Sequence, residues 1–104
     1  MTTFSEVKCV GMHWREAEGV PARALVSNMI TPCSVELERE PENQYDSFAV
    51  KVIYDGQHIG YIEAKVACWL APRIDNGETF SAEVTDFTVH RNNTYPLMHI
   101  VFSE

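Results

Sequence analysis

A predicted hairpin in the middle of the chain constrains the fold more than any other feature. Every second residue of the segment 48–54 is apolar or aromatic, which is the period of a β-strand with one buried face. Asp55-Gly56 follows directly, and this dipeptide is typical of the two-residue type I′ turn between antiparallel strands. Residues 57–62 are then predicted to return as the second strand, which places Val52 and Ile59 on opposite strands.

Other segments also have the alternation of β-strands. In the segment 35–40, Glu36, Glu38 and Glu40 are expected to share the solvent face, whereas Arg39 points inward toward a carboxylate or the mouth of a groove. The apolar phase shifts within the segment 79–89, which predicts a bulge near Thr85-Asp86. The predicted strands besides the hairpin are 5–12, 35–40, 79–89 and 95–102.

Two helices are predicted, one more strongly than the other. In residues 64–71 an i, i+3, i+4 stripe of Val66, Trp69 and Leu70 indicates a helix that buries Trp69, and Pro72 is expected to end or kink it. Pro21 suits the first position of a shorter helix that ends near Ile30. Residues 13–20 are predicted to form a polar loop.

These elements indicate a mainly β (α+β) fold, a small OB-like antiparallel barrel of about six strands with one or two short helices. The length of 104 residues corresponds to a single domain over 1–104, and 45% hydrophobic residues can form a core without crosslinks. There is no run of 18 apolar residues and no basic-apolar start, so neither a transmembrane helix nor a signal peptide is predicted. We expect a cytoplasmic protein, nucleoid-associated if it is bacterial.

The chemistry-bearing residues do not form a catalytic or metal-binding motif. The chain has three cysteines, Cys9, Cys33 and Cys68, an odd number that cannot all pair as disulfides. They form no C-x-x-C motif, and no histidine lies at ligand spacing to any of them. We therefore expect three reduced, buried thiols without metal. The apolar surroundings of Cys9 and Cys68 disfavour a reactive thiolate. Phosphate-binding, hydrolase and dinucleotide motifs are missing as well, and the chain is therefore expected to be neither an enzyme nor a cofactor carrier.

The charge balance limits how the chain can bind nucleic acid. Eight Lys and Arg residues stand against 15 Asp and Glu residues, giving a net charge of −7, and most of the excess of acid lies in residues 35–63. Broad phosphate binding usually needs a basic face, so any nucleic-acid site must be small and local. The alternative is an acidic protein-interaction module that recruits a basic DNA-processing partner, such as a helicase or a nuclease.

Three ordered motifs and an upstream one resemble the HIRAN domain, over residues 5–103 of this chain. The central motif follows the pattern R-E-P-x-N-x-Y-D-x-x-A-V-x-V, and an aromatic residue follows V-G upstream of it. The matching segments are Arg39-Glu40-Pro41-Glu42-Asn43-Gln44-Tyr45-Asp46-Ser47-Phe48-Ala49-Val50-Lys51-Val52, Ile59-Gly60-Tyr61-Ile62, Ala67-Cys68-Trp69-Leu70-Ala71 and Val10-Gly11-Met12-His13-Trp14.

The resemblance implies a modified OB-like barrel that binds DNA. In fork-remodelling helicases of the SWI/SNF type, which act in replication-fork repair, the domain captures the 3′-hydroxyl end of single-stranded DNA. Bacterial and phage genomes also encode copies alone or fused to other modules. Because this chain begins at Met1 and contains no helicase, it is expected to be a stand-alone member.

The family motif assigns roles to individual residues. By resemblance, Tyr45 stacks on the terminal base, Asp46 accepts a hydrogen bond from the 3′-hydroxyl, and Asn43 lines the same pocket. Trp14 is the candidate for the second aromatic wall. His13 stands where the family has a basic residue, Tyr61 where some members have histidine, and Lys65 beside the position of a phosphate-binding lysine, which is Ala64 here.

Several of these residues also have a purely structural interpretation. The alternative for Tyr45 is that it caps the barrel, and the alternative for Trp14 is that it covers the core. Asn43 and Asp46 are typical of turns in which the side chain accepts hydrogen bonds from nearby backbone amides. Lys51 is predicted to face either the solvent or the groove. If the binding interpretation is right, Trp14, Asn43, Tyr45 and Asp46 converge on one concave surface.

Overall fold

A computed structural model describes residues 1–103 and contains seven antiparallel strands in a nearly closed barrel with three short helices. The predicted mainly β barrel is therefore confirmed, with one more strand and one more helix than the upper expectation. The strands are β1 (Thr2–Val10), β2 (Cys33–Ser34), β3 (Glu36–Arg39), β4 (Val50–Tyr54), β5 (Gln57–Ile62), β6 (Phe80–His90) and β7 (Asn93–Phe102). The helices are α1 (Met12–Ala17), α2 (Ala22–Ser27) and α3 (Ala64–Asp75).

The strand order, β2-β6-β7-β1-β5-β4-β3, explains how a single sheet curls into a barrel. Strands β2 and β3 lie at opposite ends of this order but are separated in sequence only by Val35. Central strand β1 pairs with β7 through its first part and with β5 through Cys9 and Val10. Its register against β7 shifts between Phe4 and Val7, where Glu6 has a φ of 55°, and the change of partner from β7 to β5 follows between Lys8 and Cys9.

The predicted hairpin is confirmed as β4 and β5. Asp55 and Gly56 have φ values of 51° and 76°, the left-handed geometry that a type I′ turn requires at both central positions. Strand β4 begins only at Val50, so the prediction that Phe48 lies on its inward face is wrong. Phe48 is 45% exposed, and its N–H donates to Asp46 Oδ1 within the preceding turn.

The predicted bulge in β6 is also confirmed. Val84 pairs with Met98, but the next pair is Asp86 with Leu97, so Thr85 is the extra residue. Ala82 and Val84 before the bulge are buried and Phe87 after it packs against the core, whereas Val89 near the end of the strand is 67% exposed, so the second apolar phase faces inward only at Phe87.

The helical predictions need three corrections. Residues 13–20 were expected to form a loop, yet α1 occupies most of them, because Gly11 turns the chain out of β1 with a φ of 79° and Met12 is buried. Helix α2 is shorter than predicted. Helix α3 continues through Pro72 to Asp75 rather than ending there. No helix within residues 1–103 is long and apolar enough to cross a bilayer.

Trp69 is not a core residue, contrary to the prediction. Its side chain is 68% exposed, and the buried face of α3 is formed by Ala67, Leu70 and Ala71. This face has the same i, i+3, i+4 spacing as the predicted one and shares Leu70 with it. Helical period alone could not distinguish the two stripes, because the barrel surface accepts the small alanines at close range.

The cysteines differ in environment more than predicted. All three are free, but only Cys9 is buried, whereas Cys33 is half-buried and Cys68 is exposed. Burial raises the pKa of the Cys9 thiol to about 12, which keeps it protonated and unreactive at neutral pH. The expectation of three buried thiols is therefore wrong for Cys33 and Cys68.

Candidate nucleic-acid interface

A groove of about 730 Å³ lies between α1, the segment 40–49 and the junction of β5 with α3. It brings together six of the seven residues that the motif pattern predicted: His13, Trp14, Asn43, Tyr45, Asp46 and Tyr61. The seventh, Lys65, does not line it. The Lys65 side chain is 81% exposed and pairs with Glu63 at 3.6 Å, while Ala64 contributes to the groove wall in its place.

Two aromatic side chains of the groove are open to solvent. Tyr45 is 94% exposed and Trp14 is 67% exposed, so Tyr45 does not cap the barrel and Trp14 does not cover the core. The Trp14 N–H donates to the Gly11 carbonyl at 3.1 Å, which starts α1 at this edge of the groove. A Cβ built on Gly11 would lie at ordinary contact distances, 3.5 Å from the Tyr61 ring and 3.8 Å from the Trp14 ring, so this position favours glycine for its φ of 79° rather than for space. Since burial does not account for their placement, the exposed rings are available to a ligand.

The segment 40–49 is held by side chains that accept from its own backbone. Asn43 Oδ1 accepts from the N–H groups of Tyr45 at 2.8 Å and Asp46 at 3.0 Å, and Asp46 Oδ1 accepts from Phe48 at 2.8 Å. The turn interpretation of Asn43 and Asp46 therefore describes their local geometry. Among the described residues, Asp46 Oδ2 has no hydrogen-bond partner, so this carboxylate keeps one oxygen for a ligand.

Arg39 also holds the segment 40–49 in place. Its side chain points inward and reaches a carboxylate, as predicted. Its guanidinium donates to the carbonyl oxygens of Ala49 at 2.7 Å and Ser47 at 2.9 Å, and to Asp75 Oδ1 at 2.9 Å. Because Asp75 belongs to α3, Arg39 connects the segment 40–49 to that helix. Its charge is thus used within the fold and is not directed at a ligand.

Glu40 is the residue of this region that sequence reasoning missed. It was assigned to a solvent face, but its Oε1 accepts from Asn43 Nδ2 at 2.7 Å and from the Tyr61 hydroxyl at 2.9 Å, while Oε2 lies 3.4 Å from Lys51 Nζ. Burial opposes its ionisation, but these three donors together keep the pKa of Glu40 below its usual value. The sequence did contain one indication of this role. Glu40 lies between the inward Arg39 and Pro41, at the end of the strand, where alternation no longer predicts which way a side chain points.

Burial and the nearby Glu40 carboxylate both affect the pKa values of the two ring residues of β5, Tyr61 and His58. Burial and the hydrogen bond to Glu40 raise the pKa of Tyr61. His58 packs edge-on against Tyr61 with the ring centroids 4.7 Å apart. Burial and the charges of Arg15 and Lys51 lower the pKa of His58, so its ring is neutral and adds no positive charge beneath the groove.

The cations around the groove are already paired within the described chain. Arg15 donates to the His58 carbonyl at 3.0 Å and forms an ion pair with Glu18, and Lys51 pairs with Glu40. His13 is exposed and lies against Trp14, with ring centroids 4.8 Å apart. The groove therefore combines aromatic surface with a carboxylate and lacks the basic stripe that binds a phosphate backbone.

A second groove, of about 800 Å³, adjoins the first at His13, which lines both. Its walls come from α2 and the β6–β7 hairpin, and they include Arg23, Met29, Asn92 and Tyr95. None of the described residues that line it is acidic. Residues 15–34 carried little motif signal, so this surface was not predicted.

Comparison with known proteins agrees with this fold and these motifs. Among curated proteins, no sequence matches the chain. The crystal structure of the HIRAN domain of human HLTF is similar, with a TM-score of 0.69 and 27% identity over 96% of this chain and 74% of that one. A crystal structure of a Lactobacillus plantarum protein also has a TM-score of 0.69, with 23% identity over 95% of this chain and 96% of that one. The family model of the HIRAN domain matches residues 3–103, and the chain therefore belongs to the HIRAN domain family.

Proposed function

We propose that the groove captures the 3′-hydroxyl end of single-stranded DNA and that the chain acts by binding, without catalysis. HIRAN domains are generally DNA-binding modules and are not catalytic in themselves, which makes nucleic acid the expected ligand class. The observation that carries the proposal is the presence of two exposed aromatic rings, Tyr45 and Trp14, in one groove with the Asp46 carboxylate.

The aromatic rings suit any single strand, and the Asp46 carboxylate suits a strand end better than a strand interior. Aromatic rings stack on any base, and such stacking contributes about 1–3 kcal/mol per base. An ionised Asp46 repels a phosphate but accepts a hydrogen bond from a free hydroxyl. A chain of net charge −7 can therefore bind DNA where the last nucleotide carries no further phosphate.

Replacement of Asp46 by alanine tests the end-specific part of the proposal. We expect the wild-type chain to bind a 3′-hydroxyl oligonucleotide more tightly than the same oligonucleotide with a 3′-phosphate, and Asp46→Ala to remove most of that preference. Only the free hydroxyl can donate to the carboxylate, and only the phosphate is repelled by it. Fluorescence anisotropy with 5′-labelled oligonucleotides measures both affinities.

Glu38→Ala is the matched control for Asp46→Ala. Glu38 is exposed on β3 and does not line the groove, and its loss changes the net charge equally. Thermal unfolding checks that loss of the Asp46–Phe48 hydrogen bond leaves the fold intact. Equal wild-type affinity for the two ends would contradict end recognition. If no oligonucleotide binds at all, the acidic protein-interaction alternative becomes the better hypothesis.

The salt dependence of binding is expected to be shallow. For single strands the slope of log K against log salt is about −0.7 per neutralised phosphate, and the cations beside this groove are paired with Glu18, Glu40 and Glu63. We therefore expect a slope of about −1 or smaller in magnitude between roughly 50 and 200 mM salt. A slope of about −3 or steeper would show extended phosphate contacts and contradict an end-binding groove.

A further inference from the structure

We infer that Glu40 is a positioning residue for the end-binding groove: it orients Asn43, and through Asn43 it holds the Tyr45–Asp46 wall in the geometry that receives a strand end. Glu40 does not line the groove, and it acts through residues that do. The inference deepens the proposed function and rests on it, because the wall matters only if the groove binds a ligand.

Three donors surround the carboxylate of Glu40. Asn43 Nδ2 and the Tyr61 hydroxyl both donate to Oε1, at 2.7 and 2.9 Å, and Lys51 lies 3.4 Å from Oε2. The donors come from the segment 40–49, from β5 and from β4. Glu40 is thus the point at which three separate parts of the chain meet beneath the groove.

Glu40 determines the orientation of the Asn43 side-chain amide. A side-chain amide has one donor group and one acceptor oxygen, and the two can exchange places by a flip. An ionised carboxylate only accepts, so it selects the orientation in which Nδ2 faces Glu40. Oδ1 then faces the N–H groups of Tyr45 and Asp46, at 2.8 and 3.0 Å. In the flipped orientation donor would face donor on one side and acceptor would face acceptor on the other.

Glu40 also connects the two sides of the groove. The Tyr61 hydroxyl donates to the same oxygen as Asn43, and the Tyr61 ring lies beside Gly11, where the chain turns toward Trp14. Glu40 therefore ties the Tyr45–Asp46 wall to the β5 side of the groove. The hydrogen bonds from Asn43 and Tyr61, together with the ion pair to Lys51, outweigh burial and lower the pKa of Glu40, so they favour the ionised carboxylate that selects the Asn43 orientation.

Glu40→Gln tests this role with little change in side-chain volume. Glutamine replaces one acceptor oxygen by a donor group, so it cannot accept from Asn43 and Tyr61 while also facing Lys51 with an acceptor. We expect affinity for a 3′-hydroxyl oligonucleotide to fall about tenfold, and preference over the 3′-phosphate to shrink, because residues in one hydrogen-bond network are energetically coupled. Glu38→Gln, an equal change at an exposed site on β3, is expected to bind like the wild type.

A double-mutant cycle separates positioning from general destabilisation. If Glu40 acts through Asn43, the double variant Glu40→Ala with Asn43→Ala binds no more than about twofold more weakly than the weaker-binding single variant. If the two losses multiply, the residues act independently and the inference is overturned. Each variant is compared at a temperature at which circular dichroism shows it to be folded.

A second measurement does not depend on DNA. In NMR titrations of tyrosine labelled with 13C at Cζ, with the Tyr61 signal assigned by Tyr61→Phe, Glu40→Gln is expected to lower the pKa of Tyr61, because a negative acceptor of its hydroxyl proton is lost. The side-chain amide signals of Asn43 and the backbone amides of Tyr45 and Asp46 are expected to shift as well. Glu38→Gln should leave all of these signals in place.

The two measurements give distinguishable failures. If the NMR signals do not change in Glu40→Gln, Glu40 does not hold the groove wall, and the inference is wrong whatever DNA does. If they change but Glu40→Gln binds and discriminates ends like the wild type, the positioning role is also wrong. If the wild-type chain binds no oligonucleotide, the proposed function fails, while the NMR signals still decide whether Glu40 orients Asn43.

Discussion

Tyr45→Ala is expected to weaken binding of a 3′-hydroxyl oligonucleotide by about 1–3 kcal/mol, or roughly 5- to 150-fold, because it removes the ring on which one base stacks. The midpoint of thermal unfolding should hardly change, since Tyr45 is 94% exposed and contributes little buried surface. Tyr45→Phe keeps the ring and should bind within a few-fold of the wild type. Fluorescence anisotropy and thermal melts on the same samples measure both quantities.

Trp69→Ala is the control for the loss of an exposed aromatic ring. Trp69 lies on α3, is 68% exposed and does not line the groove, so its removal should leave end binding unchanged. The opposite pattern, in which Trp69→Ala weakens binding and Tyr45→Ala does not, would move the binding surface to α3. It would also contradict the stacking role proposed for Tyr45.

Gly60→Ala is expected to be the most destabilising change of a single methyl group, at about 3 kcal/mol. A Cβ at this position would lie 2.5 Å from the Val10 carbonyl oxygen and 2.8 Å from Cys9 Sγ. The oxygen belongs to the backbone of β1, which pairs with β5 at Cys9 and Val10, so neither strand can withdraw without losing part of the sheet. Urea denaturation followed by circular dichroism measures the free energy of unfolding.

Gly77→Ala separates the crowding at Gly60 from the general effect of replacing glycine. Gly77 has a φ of 79°, and a Cβ there would meet nothing within 4 Å. The expected cost is therefore backbone strain alone, about 1–2 kcal/mol. If Gly60→Ala costs no more than Gly77→Ala, strands β1 and β5 approach less closely than the structure indicates.

Structural features that depend only on residues adjacent in sequence were predicted correctly. The Asp55-Gly56 turn depends only on the left-handed conformations that these two residues tolerate, and the bulge at Thr85 follows from a phase shift within one strand. The groove residues were predicted for a different reason. The ordered family motif supplied Asn43, Tyr45 and Asp46 together, and the V-G segment supplied Trp14. Periodicity alone would not have brought these two segments to one surface.

Burial of particular side chains depended on what the fold packs against them. Two overlapping stripes of α3 had the same helical spacing, and only the barrel surface selected Ala67 and Ala71 over Trp69. The same limit applies to Cys68, which shares the exposed side of this helix. A period identifies that a helix has an apolar face, but the shape of the neighbouring surface determines which residues form it.

Glu40 shows the difference between what the local sequence pattern predicts and what the tertiary structure decides. By itself the sequence determined that this glutamate ends an alternating segment, and that pattern predicted a carboxylate in solvent. Only the tertiary structure brought Asn43, Lys51 and Tyr61 to it from different segments. A carboxylate leaves water only where enough donors replace its hydration, and the number of donors at one point in space is a property of the fold rather than of the local sequence.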